Sequence, residues 1–352
     1  MQYVRYLIPI LAALLCSLAL TPVAIKLAHK WGVVDMPNER KVHSSAMPRM
    51  GGLAIYGGFL VGMLLLGRFD RQTLSLIASA TIVMGIGLYD DMHGISPKLK
   101  LLGQVLAALV LVQSGVVVQF LTNPFNGGVM SLGFFAYPLT IVWLVGISNA
   151  INLVDGLDGL SAGISAISAL TISVICYIRG DGLTCVIAAI VAAAALGFLR
   201  FNFHPAKTFM GDCGSLFLGF LLGALSVMGF SKGATLISIF CPFLIVGIPI
   251  CDTFFAIIRR SVQKKPIFQA DKGHLHHCLL SCGLSHSQTV LVIYAISLLM
   301  SVAAVLMAVL TTSQAVLIFI ITLVLVLYGA KKIGVLRGKA APARVSESSV
   351  KR

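Results

Sequence analysis

Long apolar runs, each about the length of a bilayer crossing, alternate along this chain with short stretches rich in Lys, Arg, Asp and His. A helix needs about 20 apolar residues to cross a hydrocarbon core. Eleven runs qualify: 4–26, 51–67, 72–89, 101–121, 136–153, 158–178, 183–200, 213–230, 234–257, 288–310 and 314–330. The pattern predicts an all-α polytopic membrane protein with about 11 transmembrane helices. The first run is long enough to stay as a span rather than serve as a cleaved leader. An odd count puts the two termini on opposite sides.

The loops then fall into two sets, and charge orients them. Of the 26 Lys and Arg, 21 lie in or beside the stretches 27–50, 90–100, 154–157, 201–212, 258–287 and 331–352. The other five are Arg5, Arg68, Arg71, Arg179 and Lys232. Lys and Arg are retained on the cytoplasmic side, which predicts an outer N-terminus and a cytoplasmic C-terminus. The net charge of +14 therefore reads as topology and contact with anionic membrane lipid, not as a nucleic-acid surface. Hydrophobic residues make up 58% of the chain and charged residues 11%, against roughly 25% charged in a soluble domain. Residues 1–337 read as one transmembrane domain. Residues 338–352, rich in Ala, Ser, Arg and Lys, read as a disordered basic tail. Most of the eight Cys lie in apolar runs, so a disulfide framework is not expected.

Acidic residues do not set topology, yet Asp90, Asp91, Asp155, Asp158, Asp212, Asp252 and Asp271 all fall near predicted inner helix ends. Adjacent carboxylates such as Asp90 and Asp91 repel one another at a membrane edge, and a divalent cation or a proton would relieve the cost. Asp155 and Asp158 are three apart and share a helical face, with Gly156 and Gly159 beside them and the amides of Asn149 and Asn152 just before. Asp212 stands among glycines at a helix start, in Phe209-Met210-Gly211-Asp212-Cys213-Gly214-Ser215, where free N–H groups and the helix dipole gather. Each has a plain alternative as a solvated terminus or a helix cap. The 258–287 loop carries Arg259, Arg260, Lys264, Lys265 and Lys272, then His274, His276 and His277, a set suited to phosphate. Zinc on His276, His277, Cys278 and Cys282 is the competing reading. His43, Arg49, Lys98 and Lys100 add cations on the same side.

Five motifs occur in order: Pro48-Arg49-Met50-Gly51-Gly52, Tyr89-Asp90-Asp91, Asn149 through Leu160, Phe209 through Ser215, and Gly273-His274-Leu275-His276-His277. Together they resemble the polyprenyl-phosphate N-acetylhexosamine-1-phosphate transferases, glycosyltransferase family 4, across roughly residues 20–310. The His-x-His-His spacing is similar to the branch using UDP-GlcNAc, where the branch using UDP-MurNAc-pentapeptide has three consecutive His. The 258–287 stretch is similar to the Gram-positive branch that begins wall teichoic acid synthesis.

The resemblance implies ten to eleven helices, a cytoplasmic Mg²⁺ site (Mn²⁺ as a substitute) and a homodimer in some relatives. It implies transfer of GlcNAc-1-phosphate from UDP-GlcNAc to undecaprenyl phosphate, releasing UMP, in the plasma membrane of a bacterium. Asp212 and Asn152 would hold the metal. Asp90 and Asp91 would orient or deprotonate the lipid phosphate. Asp155 and Asp158 would line the uridine pocket, with Phe209 nearby as an aromatic wall, and Asn149 would be a further substrate-binding residue. His274, His276, His277 and Arg259 or Arg260 would meet the diphosphate and sugar, with His276 counted among the catalytic residues. His43, Arg49, Lys98 and Lys100 would hold phosphate charge. The competing non-enzyme reading is a secondary transporter, which would set its acids near the bilayer midplane and often carry inverted repeats; no repeat is visible here.

Overall fold

The computed structural model describes residues 2–36, 46–122, 129–230, 237–264 and 273–334. Within them the chain forms thirteen helices: α1 Gln2–Trp31, α2 Gly52–Leu66, α3 Arg71–His93, α4 Pro97–Val112, α5 Ala136–Val154, α6 Leu160–Ile178, α7 Gly182–Asn202, α8 Gly211–Phe230, α9 Ile237–Ile245, α10 Gly247–Val262, α11 Leu275–Ser281, α12 His286–Val309 and α13 Thr312–Ile333. Two short antiparallel hairpins pair β1 Val34–Asp35 with β2 Met47–Pro48 and β3 Phe120–Thr122 with β4 Val129–Ser131. His43 and the tail 338–352 lie outside the described residues.

Eight helices are long and apolar enough to cross a membrane: α1, α3, α5, α6, α7, α8, α12 and α13. α2 is shorter but also apolar. Two expected spans differ from the sequence reading. The 101–121 run is helical only to Val112; Gly115 then takes a left-handed turn with φ of 92°. The 234–257 run is two helices, α9 and α10, parted at Val246. Pro249 causes the break, because it has no N–H to donate to the Ile245 carbonyl four residues back. That freed carbonyl accepts instead from the Ser168 hydroxyl of α6 at 2.8 Å, the kind of repair a membrane interior demands.

Helix ends follow local chemistry. Asp70 caps α3 by accepting from the N–H groups of Gln72 and Thr73, each at 3.0 Å. Those bonds hold its carboxyl below the usual range. Ser96 precedes Pro97 at the start of α4, and Ser285 with Gln288 closes a capping box on α12, which satisfies donors the helices cannot.

α8 is the axle of the bundle: it is buried along its length and packs against α2, α3, α5, α6 and α7. Small residues permit the close approach. A Cβ at Gly87 would lie 2.5 Å from the Cys213 Cα, and one at Gly219 would lie 2.7 Å from the Ser148 Cα. α13, by contrast, is almost entirely exposed, with Leu317, Leu325 and Tyr328 facing outward, as a lipid-facing helix would be. The C-terminal ends of α3, α5 and α7 and the N-terminal ends of α4, α6 and α8 meet at one end of this bundle, and the sequence's acids come with them.

Candidate active site

The meeting point is a cavity of about 710 Å³, within the size range of small-molecule sites. Arg49, Asn152, Asp155, Asp158, Phe209, Asp212, His276 and His277 line it.

Asp212, in the first turn of α8, is its best-connected carboxylate. Asn152 of α5 donates to Asp212 Oδ1 at 3.0 Å and to Ser215 Oγ at 2.8 Å. Lys100 of α4 bridges Asp212 Oδ2 and Asp90 Oδ2. Asp90 also accepts from the Ile95 N–H at 2.8 Å, which shapes the α3–α4 turn. Arg49 reaches Asp91 at 3.2 Å, Asp35 at 3.8 Å and Asp212 at 3.9 Å.

Asp91 stands behind the cavity wall rather than in it. Its carboxylate is fully buried and accepts from the N–H groups of Asp212 and Cys213, both at 2.9 Å. It therefore caps α8 from another helix and fixes the turn that carries Asp212. Gly211 makes room for this: its φ is +74°, and a Cβ there would lie 2.5 Å from Asp91 Oδ2.

The loop between α5 and α6 brings Asp155 and Asp158 into the wall. Burial, and then the neighbouring Asp212 carboxylate, push the Asp155 carboxyl up to about 8. Asp158 Oδ2 accepts from His204 Nδ1 at 2.8 Å and from the Ala206 N–H at 3.1 Å. Its own N–H donates to His286 Nε2 at 3.0 Å, and the His204 and His286 rings stack at 4.2 Å. Asn202 accepts from the Gly159 N–H at 3.0 Å and donates to the Thr208 carbonyl at 2.9 Å.

His276 is buried. Burial, and then the adjacent His277, push its imidazole down to about 3, so it is neutral at physiological pH. It presses against the α5–α6 loop at Gly156, where a Cβ would meet His276 Nε2 at 2.7 Å.

Other sequence-predicted residues sit outside the cavity lining. Asn149 donates to Gln104 Oε1 at 2.6 Å and to the Val145 carbonyl at 2.8 Å, clasping α4 to α5. His274 bonds Asp252 at 2.8 Å. Arg259 and Arg260 are buried, with the Arg259 guanidinium against Gly273. Lys98 is exposed on the first turn of α4. Asp35, Asn202, His204 and His286 line the cavity without having been singled out from the sequence. Each is a lone polar residue in an ordinary context, and only folding gathers them.

The donors suit a hard divalent cation. Asp212 and Asn152 offer oxygen, which is what Mg²⁺ takes. Three carboxylates (Asp90, Asp91 and Asp212) share two cations (Arg49 and Lys100), and Asp155, which keeps its proton in the metal-free fold, can add a fourth charge once an ion is there to neutralise it. The zinc reading finds no support: Cys278 is buried and Cys282 exposed. Among the described residues, the three ligand atoms of metal-binding type that cluster within 4.8 Å belong to Asp158, His204 and His286; His204 Nδ1 is already bonded to the Asp158 carboxylate and His286 Nε2 to the Asp158 backbone N–H.

The Asp155 carboxyl makes a prediction for the metal-free protein. The fold keeps a proton that the unfolded chain releases near 3.9, so this group favours folding fully below about pH 4 and the benefit drains away as pH climbs through about 8. Asp155→Asn, neutral at every pH, should therefore gain thermal stability over the parent as pH rises from 5 to 9 in EDTA. Mg²⁺ should narrow the gap by favouring the ionised carboxylate. A gap independent of pH would contradict the burial argument.

Three relatives and one family model bear on identity. A model described as glycosyl transferase family 4 matches residues 73–230. The "probable undecaprenyl-phosphate N-acetylglucosaminyl 1-phosphate transferase" of Bacillus subtilis strain 168 is 44% identical over 342 residues, covering 97% of this chain and 96% of the relative. The decaprenyl-phosphate N-acetylglucosaminephosphotransferase of Mycobacterium tuberculosis H37Rv is 39% identical over 82% of this chain and 78% of its own. The undecaprenyl-phosphate alpha-N-acetylglucosaminyl 1-phosphate transferase of Escherichia coli K12 is 30% identical over 79% of this chain and 78% of its own.

Proposed function

Because this chain belongs to glycosyl transferase family 4, we propose that it transfers GlcNAc-1-phosphate from UDP-GlcNAc to undecaprenyl phosphate, giving undecaprenyl-diphosphate-GlcNAc and UMP. The observation that carries this reading is the convergence of Asp90, Asp91, Asn152, Asp155, Asp158 and Asp212, from distant stretches of chain, on and just behind one cavity at the ends of apolar helices. Acids gathered at one end of the bundle suit an interfacial enzyme better than a transporter with a midplane site. The product enters a cell-envelope glycopolymer, for which teichoic acid is the proposed destination. The concentration of Lys and Arg on the same loops supports a cytoplasmic site in the bacterial plasma membrane.

A phosphate oxygen of the lipid attacks the sugar-bearing phosphorus of the nucleotide, and the bond to the bridging oxygen breaks as UMP leaves. A phosphate monoester is largely ionised at neutral pH, its second pKa being about 6, so the attack needs no strong base. The task is to bring two anions together and hold them in line. Asp212 and Asn152 would hold Mg²⁺, which when bound neutralises diphosphate charge and favours departure of UMP. Arg49 would offer its guanidinium to phosphate from the wall beside them. Lys100 balances Asp90 and Asp212, and Asp91 keeps the first turn of α8 in place. Asp155, Asp158, Asn202 and Phe209 form the wall offered to the uridine; His277 and the neutral His276 form the side offered to the sugar diphosphate.

The test is UMP release by purified protein given UDP-GlcNAc, undecaprenyl phosphate and Mg²⁺, with EDTA and UDP-MurNAc-pentapeptide as contrasts. Release that depends on both substrates and on the metal is expected; release from UDP-MurNAc-pentapeptide alone would move the chain to the other branch. His276→Ala should lower kcat about 30-fold, as loss of a supporting polar contact does, and shift the melting temperature by no more than a few degrees. An unchanged rate would reduce the His276 loop to scaffold.

A further inference from the structure

Asp252 lies on the second turn of α10, outside the cavity lining, with only 4% of its surface exposed. A buried carboxylate is costly unless its oxygens are fully used. Here both are. Oδ1 accepts from the Leu275 N–H at 2.8 Å, and Oδ2 lies 2.8 Å from His274 Nδ1, across 22 residues of sequence. His274 is itself buried. Its ring runs parallel to that of His276, within 6° and 5.8 Å between centroids, and it is His276 that reaches the cavity.

We propose that Asp252 and His274 form a latch that positions His276 for the transfer reaction, with His274 acting through Nδ1 on Asp252 rather than through Nε2 on substrate. The carboxylate fixes the tautomer and plane of the His274 ring, as carboxylates do for imidazoles that must hold still. The same carboxylate takes the first N–H of α11, so one side chain sets both the start of the helix and the ring before it. α10 thereby dictates where His276 stands against Gly156. The latch rests on the reaction proposed above; absence of UMP release by the unmodified protein would sink that reaction and leave the latch to be judged by stability alone.

The experiment compares His274→Ala, His274→Asn and Asp252→Asn for kcat, KM and melting temperature. An Asn amide at 274 can still donate to Asp252 from about the place of Nδ1, but has no counterpart of Nε2. His274→Ala and Asp252→Asn are each expected to lower kcat about 30-fold, with little change in KM for UDP-GlcNAc. His274→Asn should recover to within about 3-fold of the parent. In the Asp252→Asn background, His274→Ala should cost less than 2-fold more, because the two act as one unit. Should Asp252→Asn fail to fold, the two His274 variants decide alone. Equal damage from Asn and Ala at 274 would overturn the proposal, since it would mean that Nε2 does the work. So would losses that multiply in the double variant.

Discussion

Asp212→Asn is expected to cut UMP release by about 10³-fold while the protein still inserts, purifies and melts near the parent temperature. The substitution keeps shape: an amide oxygen at 212 can still accept from Asn152, whose own bond to Ser215 is untouched. What it removes is the charge on which Lys100 and Arg49 converge, and with it the anionic character of the oxygen donor assigned to the metal. Lys100 keeps Asp90 as a partner, so the α3–α4 turn is not left with an orphaned cation. Single-turnover rates at saturating Mg²⁺, set beside the melting curve, separate chemistry from folding. A variant within about tenfold of the parent rate would strip Asp212 of its central role.

Lys100→Met should be nearly as damaging, by a different route. The ammonium is the bridge between Asp90 and Asp212, and removing it leaves two carboxylates facing one another in a poorly solvated place. Activity is expected to fall about 10²-fold or more and the melting temperature to drop in EDTA. Removing a positive charge also removes repulsion toward a divalent ion, so Mg²⁺ should bind the variant more tightly and restore much of its stability. Melting temperature titrated against Mg²⁺ reads both effects. A variant whose stability ignores Mg²⁺ would place the ion elsewhere.

The helical spans were legible because uncharged apolar runs of bilayer length seldom occur outside a membrane, and the motif acids because carboxylates at a membrane edge are costly to desolvate. The break at Val246 was hidden: the run through it stays apolar, and Pro249 marks only where a helix can begin, not that its neighbour must stop. The end of α4 was hidden in the same way, since Val116, Val117 and Val118 prolong the apolar pattern past Gly115. Asp91 read as a substrate group because adjacency to Asp90 suggests a shared task, yet the two carboxylates diverge, one toward Lys100 and one into the α8 turn. Asp252, His204 and His286 carry no local signal of a partner, because their partners come from other elements entirely.

The hydroxyl that Ser168 lends to the Ile245 carbonyl ties two distant positions into one genetic unit. Ala at 249 would give the carbonyl a donor of its own, let the two segments join into a straight rod, and make Ser168 dispensable. The straight rod would also swing the segment bearing Asp252 and Arg259 away from the histidines it now meets. Position 168, deep in a neighbouring helix, should thus tolerate change only in chains that have lost the proline, and such chains should already be poor catalysts.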